Sequence, residues 1–557
     1  MKILLLVLTI LFQDDNLTRA ILFLTGATDP SELEVTEFER FESIASRPVP
    51  VNGKSLDRLV SAGLVTRYQA ASISDYRKRL GDILSVEELS LVDGFNPETA
   101  RCLALFLDFS PSSESISRKP RSDLTVRSSL KDGAVSYGGK YLFDKEGSWG
   151  AGAAFRLSYD GTLAGTFNLS RTSGRWRVVA GDLNARFGEG LVSWSGFEMS
   201  TFSSLSSFSR HGGGLSPVSS YSGAGTLRGA GGEASFGRFT LTSITYFDGL
   251  KERMEGGGGK ITPNWRGNCS WRGRVGEGGV TLSTEGMMGV NWRCNLRGTD
   301  FFGEAAIRRK SGSGAFRGGT VFPLGEHFRS GFHLNILPSA YSGKKYGEYT
   351  GSWGLDYSDG VYTAVAGKSG FGSSEVRNKV TLSVSASLLP YPVKDPDRRR
   401  LKAVSTWNSR LSPMLQLSMR SVLTFRNFSP GSRIDTRADL TFSDGLFLSR
   451  LRGNLTLAGT APGFLSYLEG GFTPGKDSYY LRATVFRADS WDSRLYSYER
   501  DAPGYFSVPA YWGRGWAFSA VGKKTAGKWK FYLRSSLVVK KEKPGSTELK
   551  FQLNRMF

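Results

Sequence analysis

The chain has 557 residues, with 72 Lys and Arg against 51 Asp and Glu, and only 3 Cys and 3 His. That length leaves room for one very large domain or several ordinary ones. Cys102, Cys269 and Cys294 are too few for a disulfide-stapled fold, and His211, His327 and His333 lie far from any Cys pair, which argues against a zinc finger or a His-rich metal enzyme. Glycine is unevenly spread: of 69, 5 fall in residues 1–120 and 64 in the rest. Charge divides at the same point. Residues 1–120 carry 13 basic and 17 acidic groups, a net of −4, while the remainder carries 59 basic and 34 acidic groups, a net of +25. The sequence therefore describes a two-part protein whose basic excess sits wholly in its Gly- and aromatic-rich part.

Lys2 is followed by ten apolar or near-apolar residues, Ile3 to Phe12, and then by Gln13-Asp14-Asp15. A short positive start and an apolar stretch of this length predict a secretory signal peptide over residues 1–13. The stretch is too short for a membrane-spanning helix, which needs about 20 residues. Export without a helical anchor leaves periplasm, outer membrane or secretion.

Residues 14–110 carry helix signals: a lead-in over 14–50, then a compact helical unit over 51–110. Asp29-Pro30-Ser31-Glu32 places a cap, a proline at the first helical position and an acid three residues after the cap. Thr66 with Gln69, and Ser85 with Glu88, read as capping boxes, and Asn96-Pro97 opens a further helix. Turns are expected at Gly63, Gly81 and Gly94. This order, from Val51 through Phe106, resembles the tandem helix-hairpin-helix domain of bacterial competence DNA-binding proteins. The two hairpins would be Gly63-Leu64-Val65 and Gly94-Phe95-Asn96. In that family the hairpin reads Gly-hydrophobic-Gly, and its backbone N–H groups hold a DNA phosphate. Here Val65 and Asn96 replace the second glycine, and a side chain there hinders close backbone approach. Arg77-Lys78-Arg79 is the local basic cluster in acidic surroundings. The resemblance thus implies a module that docks a protein or packs internally, with contact to a DNA backbone as the alternative.

After a linker over 111–121, the hydrophobic period changes to two. Val135, Tyr137, Gly139, Tyr141 and Phe143 fall on one face of a strand, as do Trp149, Ala151, Ala153, Phe155 and Leu157. Leu163, Gly165, Phe167 and Leu169 follow, then Trp176, Val178 and Ala180. Late in the chain, Trp516, Phe518, Ala520 and Gly522 match Trp529, Phe531 and Leu533 across a turn at Thr525-Ala526-Gly527. The opposite faces carry Ser, Thr, Arg, Lys, Gly and Asn. Aromatic-rich faces interleaved with Gly and Ala, expected export and the absence of a helical anchor together predict a closed antiparallel transmembrane β-barrel over 122–557. Residues 122–557 allow roughly 18–24 strands at about 10 residues each. The final strand ends in Phe551, Leu553 and Phe557, which resembles the assembly signal of outer-membrane barrels, with Arg555 interrupting the apolar run.

Residues 181–222 break the hairpin rhythm and include a Gly/Ser-rich loop over 195–222. Gly181-Asp182, Phe187-Gly188, Gly190-Leu191 and Trp194-Ser195-Gly196-Phe197 resemble a segment found in barrel proteins of two-membrane bacteria that carry an N-terminal helix-hairpin-helix module. The segment is either a constriction folded into the lumen or a mobile extracellular loop.

Catalytic patterns are missing. None of the three His is followed at the second position by Ser, as a barrel lipase of the known type requires, and the sequence contains no His-Asp pair, nucleophile elbow, Walker loop or HExxH. The glycine-rich run Gly276-Glu277-Gly278-Gly279 reads as loop. Cys269 and Cys294 are expected two strands apart, about 10 Å, too far for a disulfide. The reading is a non-enzymatic outer-membrane barrel with its helical module in the periplasm, acting as conduit or assembly scaffold. The expected partners are outer-membrane lipid and lipopolysaccharide, the barrel assembly machinery and a periplasmic protein; no cofactor or metal is expected. The alternative is a DNA-binding or DNA-uptake protein that uses the helical module and a basic lumen.

Overall fold

The computed structural model describes residues 13–557 apart from 26–29, 31–32, 34, 47, 54–55, 57–58, 61–62, 66, 96, 113–119, 146–147, 174, 196–204, 206–207, 211, 224, 250–259, 274–275, 326, 344–347, 365–374, 389–398, 428–430 and 542. The apolar start read as a signal peptide lies outside the described residues, save Gln13, which opens a helix.

Helices Gln13–Thr25, Val35–Ser46, Arg67–Leu80, Val86–Ser90 and Pro97–Leu103 enclose one apolar core. Ile21, Phe41, Leu59, Ile73, Leu89 and Phe106 sit at its centre. Ser85 caps Val86–Ser90: its Oγ accepts the Glu88 N–H at 3.1 Å, and Glu88 Oε2 accepts the Leu84 N–H at 2.6 Å. A short parallel pairing of Val49–Pro50 with Leu107–Asp108 ties the two ends of the unit together.

The first wall strand starts at Arg121, one residue before the expected barrel start, and ends at Lys131. From there consecutive strands pair antiparallel until Lys543–Met556, which pairs with Arg121–Lys131 and closes the sheet on itself. Among the described residues 25 strands lie in this closed order. One of them, Gly214–Pro217, is a short insert, so the wall has 24, the top of the range read from the sequence. The run Gly276-Glu277-Gly278-Gly279, read above as loop, opens strand Gly276–Ser283 instead; strand pairing on both sides holds it despite its glycines. Cys269 and Cys294 are free and lie on strands separated by a third.

The wall is inverted relative to a water-soluble protein. On Leu163–Ser173, Phe167 and Leu169 are about half exposed on the outside (48% and 52%), whereas Thr166 and Asn168 are buried inside (3% and 8%). Cross-strand partners share a face, so the pattern propagates around the sheet: Leu440, Leu451 and Leu468 form one outward row. Phe551 on the last strand and Phe557 just after it are exposed, and the Arg555 guanidinium lies between the rings of Trp529 (4.6 Å) and Phe557 (4.3 Å).

An outward apolar face of this kind predicts a depth-dependent penalty for charge. Leu468→Arg, in the middle of a strand, should cost about 2–4 kcal/mol, while Leu446→Arg, in a turn, should cost about 0–1 kcal/mol. Urea titration of the protein refolded in lipid vesicles measures both.

Candidate functional site

Among the described residues, two inserts fold into the lumen and the helical unit sits at one end of it. The first begins where strand Trp176–Arg186 leaves its neighbour Leu163–Ser173. Their pairing stops at Asn168 and Gly181. Gly181 has φ +97, and a Cβ there would stand 2.3 Å from the Phe167 carbonyl oxygen, so only glycine makes this exit. The departure strands backbone groups of the neighbouring strand, and the next residue repairs the damage. Asp182, with 0% exposure, accepts the Phe167 N–H at 2.8 Å and is gripped by Arg228 at 3.0 and 2.9 Å. Arg228 also donates to the Gly165 carbonyl at 2.9 Å. A buried ion pair thus stands in for the missing ladder.

Beyond Arg186 the chain runs across the lumen and returns as Gly214–Pro217, which pairs with Leu183–Arg186. Within the stretch 195–222, expected as one long loop, these four residues are therefore strand. Of the two readings of this segment, the inward one matches its described part. Glu189 is buried and bonds Arg293 at 3.1 Å and the Arg210 N–H at 2.8 Å. Glu304 on the wall accepts the N–H groups of Leu191 (3.0 Å) and Val192 (3.2 Å). Leu191 and Val192 pack with Met287, Ala306 and Tyr341. Gly188 and Gly190 take positive φ, and a Cβ on Gly188 would meet Glu304 at 2.7 Å. The Phe187 N–H donates to Ser193 O at 3.0 Å, and Trp194 receives the Arg186 and Arg210 guanidinia on its ring. Farther along, Leu205 and Phe208 are buried against Phe302 and Val321. Gly196 and Phe197 lie outside the described residues.

The second insert, residues 489–512, went unread in the sequence; its only signal is the lapse of alternation between two regular strands. It carries a two-residue ladder, Leu495–Tyr496 with Ala510–Tyr511. Glu499 bonds Arg534 and Tyr511, Asp501 bonds Lys550 at 2.7 Å, and Arg500 bonds Glu469 at 3.0 Å. Arg127 joins the two inserts: its guanidinium lies over the rings of Tyr221 and Tyr505 and donates to the Gly504 carbonyl at 2.9 Å.

The third occupant is the helical unit, seated at the barrel end that holds both Arg121 and Met556. Helix Val35–Ser46 makes several of its polar contacts with the barrel. Glu37 bonds Arg186 at 2.7 Å and Arg40 at 2.6 Å, and Glu42 accepts the Gly504 N–H at 2.6 Å. Phe38 packs on Phe506 with centroids 4.6 Å apart. Glu39 accepts the Ser220 hydroxyl at 3.4 Å, and burial pushes its carboxyl up against the pull of Lys140 and Arg127. One acidic helix therefore touches both inserts and the wall. For Glu37, burial works to raise the carboxyl, but Arg40 and Arg186 outweigh it and hold it at about 2, against an ordinary value near 4.5.

The hairpin groups read from the sequence serve the module's own fold. The N–H groups of Gly63, Leu64 and Val65 donate to carbonyls of Val60 and Leu59 at 2.9–3.4 Å, and Leu64 and Val65 are buried. Gly94 takes φ +84 and its carbonyl accepts Gln69 at 2.8 Å, and the Phe95 N–H donates to Val92 O. Asn96 lies outside the described residues. Arg77 donates to the carbonyls of Asn52 and Gly53 at 2.9 Å, and Lys78 pairs loosely with Asp75 at 3.9 Å. Arg79, at the exposed end of its helix, is not brought to any of these groups. Among the described residues no group of three or more His, Cys, Asp and Glu is placed to hold a metal, and no helix is long and apolar enough to cross a membrane.

Fold and lumen together define a closed antiparallel β-barrel with an apolar exterior and a charged, largely filled interior. No family model and no curated protein matches the chain. Among solved structures it is similar to the translocation pore of the P pilus usher PapC, at TM-score 0.39 and 11% identity over 79% of this chain and 99% of that one. It is also similar to the outer membrane protein OprD from Pseudomonas aeruginosa, at TM-score 0.30 and 8% identity over 79% and 94%.

Two outcomes follow from the lumen contacts. Asp182→Ala leaves Arg228 buried without its partner and should cost about 3–5 kcal/mol, with the 187–213 segment becoming protease-sensitive. Glu37, depressed from its unfolded value, contributes stability that is present above about 4.5 and lost as pH falls through about 2. Hydrogen exchange of Val35–Ser46, corrected for intrinsic rate, should show that loss, and Glu37→Gln should flatten it.

Proposed function

We propose that this chain is a non-enzymatic outer-membrane β-barrel that acts as a conduit, closed at rest by its two inserts and its helical module. The observation that carries the reading is the inverted wall: leucine and aromatic side chains cover the exterior while arginine, lysine and carboxylates line the interior. Such a surface is stable in hydrocarbon and aggregates in water. The charged interior supports a conduit over a scaffold, because a barrel lined by charged side chains offers a polar path once the packing inserts are displaced. In this reading the helical module, which resembles a helix-hairpin-helix domain, faces the periplasm at the barrel end that holds Arg121 and Met556. It gates the lumen through the acidic helix Val35–Ser46 and presents its outer surface to a periplasmic protein.

Planar-bilayer recording tests the gate. Arg186 and Gly214 are cross-strand partners, so a two-residue Asn-Gly turn can replace residues 187–213 without disturbing the wall. The full chain should show low conductance and the shortened chain a several-fold larger one. Equal, negligible conductance in both would reject the conduit.

A further inference from the structure

Cations on the outward face of the wall differ in how they are neutralised. Lys524, opposite the outward Phe531, is held by Asp477 at 2.7 Å. Arg487 and Arg514, opposite each other near the other rim, share Asp489 at 3.2 and 3.3 Å. Arg171 has no such acid. It ends the outward row of Leu163, Phe167 and Leu169 on strand Leu163–Ser173, at the barrel end that holds Arg121 and Met556. Its guanidinium lies over the ring of Trp149 at 4.8 Å on one neighbouring strand and over that of Trp176 at 5.3 Å on the other. Both rings are more than a third exposed on the outside. Lys145 stands opposite Trp149 on the next strand, shares the outward face and is exposed without an acid partner.

The arrangement recurs at the same end of the wall. Arg555 lies between the rings of Trp529 and Phe557, and its Nε is buried with no hydrogen-bond partner. Four strand steps, about 19 Å by strand spacing, separate Arg555 from Arg171. Among the described residues the outward positions of strands Ala134–Lys145, Trp149–Leu157 and Leu163–Ser173 carry no acid; Glu146, in the turn after Lys145, lies outside the described residues. Stacking occupies the two faces of a guanidinium and leaves its in-plane N–H donors open. At the rim of an apolar wall those donors stand level with lipid headgroups, and a charge left there without a counter-ion is costly.

We propose that Arg171 between Trp149 and Trp176, together with Lys145, is a binding site for the headgroup phosphate of an anionic phospholipid, and that Arg555 between Trp529 and Phe557 is a second such site on the same rim. The guanidinium fork takes two phosphate oxygens, Lys145 adds a point charge, and the tryptophan rings lie at the boundary between headgroup and hydrocarbon. A headgroup with net negative charge is selected, because a zwitterionic one brings its own ammonium to the same cations. The proposal rests on the outer-membrane reading and deepens it by naming the lipid class held at the module's end of the wall.

The test is quenching of tryptophan fluorescence in the full-length protein refolded into phosphatidylcholine vesicles. The quencher is phosphatidylglycerol with brominated acyl chains, compared with brominated phosphatidylcholine. Phosphatidylglycerol should quench more at equal content, and salt should reduce the difference. Arg171→Gln with Arg555→Gln should lower the relative affinity for phosphatidylglycerol about fivefold or more. Arg487→Gln, on the outward face near the opposite rim, should leave it unchanged. Each variant is first shown to keep the compact unheated gel band of the parent. Equal quenching by the two lipids, or an equal loss in Arg487→Gln, overturns the sites. Protein that inserts with a heat-dependent band shift yet shows no lipid preference removes the sites and leaves the barrel reading; protein that stays outside the vesicles with no shift removes both.

Discussion

Closure of the sheet is the constraint on which the rest depends. In hydrocarbon an unpaired backbone N–H or C=O costs several kcal/mol, so a sheet can cross only if its last strand finds its first. Lys543–Met556 does so by pairing with Arg121–Lys131. Once the wall is closed, the exterior is fixed as apolar and the interior inherits every polar and charged side chain of the strands. A lumen bounded by 24 strands is wide, and its basic side chains need either water or acids. The acids come from the inserts, as with Glu189 and Glu499, and from the wall itself, as with Glu469 and Asp439. Where the wall opens at Gly181, it is held by Asp182 and Arg228, which take over the work of the lost ladder bonds.

The same arithmetic explains the helical module. Residues 1–120, which contain it, carry a net charge of −4 against +25 in the remainder, and the helix richest in acids, Val35–Ser46, meets the barrel. Glu37, Glu39 and Glu42 each reach a different partner: the first insert at Arg186, the returning chain at Ser220 and the second insert at Gly504. A module held by carboxylates on a basic surface is responsive to salt and pH in a way that an apolar seal is not.

Much of the barrel was legible because a strand in a membrane wall writes a period of two over its full length, as on Trp149–Leu157 and in the hairpin of Gly513–Ala526 with Trp529–Lys540. The inserts were not. Nothing near Asp182 in sequence announces its partner, because Arg228 lies 46 residues away and meets it only after the chain has crossed the lumen and returned. The second insert is polar and irregular, so it reads as an ordinary surface loop; its buried Glu499 gains meaning only beside Arg534. The run Gly276-Glu277-Gly278-Gly279 misled for the opposite reason: local preference favours a loop there, and pairing with strands on both sides overrides it.

The measurement that bears most directly on the account is outer-membrane fractionation of the full-length protein combined with electrophoresis of heated and unheated samples. A closed barrel embedded in the outer membrane should be recovered in that fraction and migrate faster before heating than after. A water-soluble protein with no difference between the two bands would contradict the account, because the apolar exterior would then have to be covered by something other than lipid.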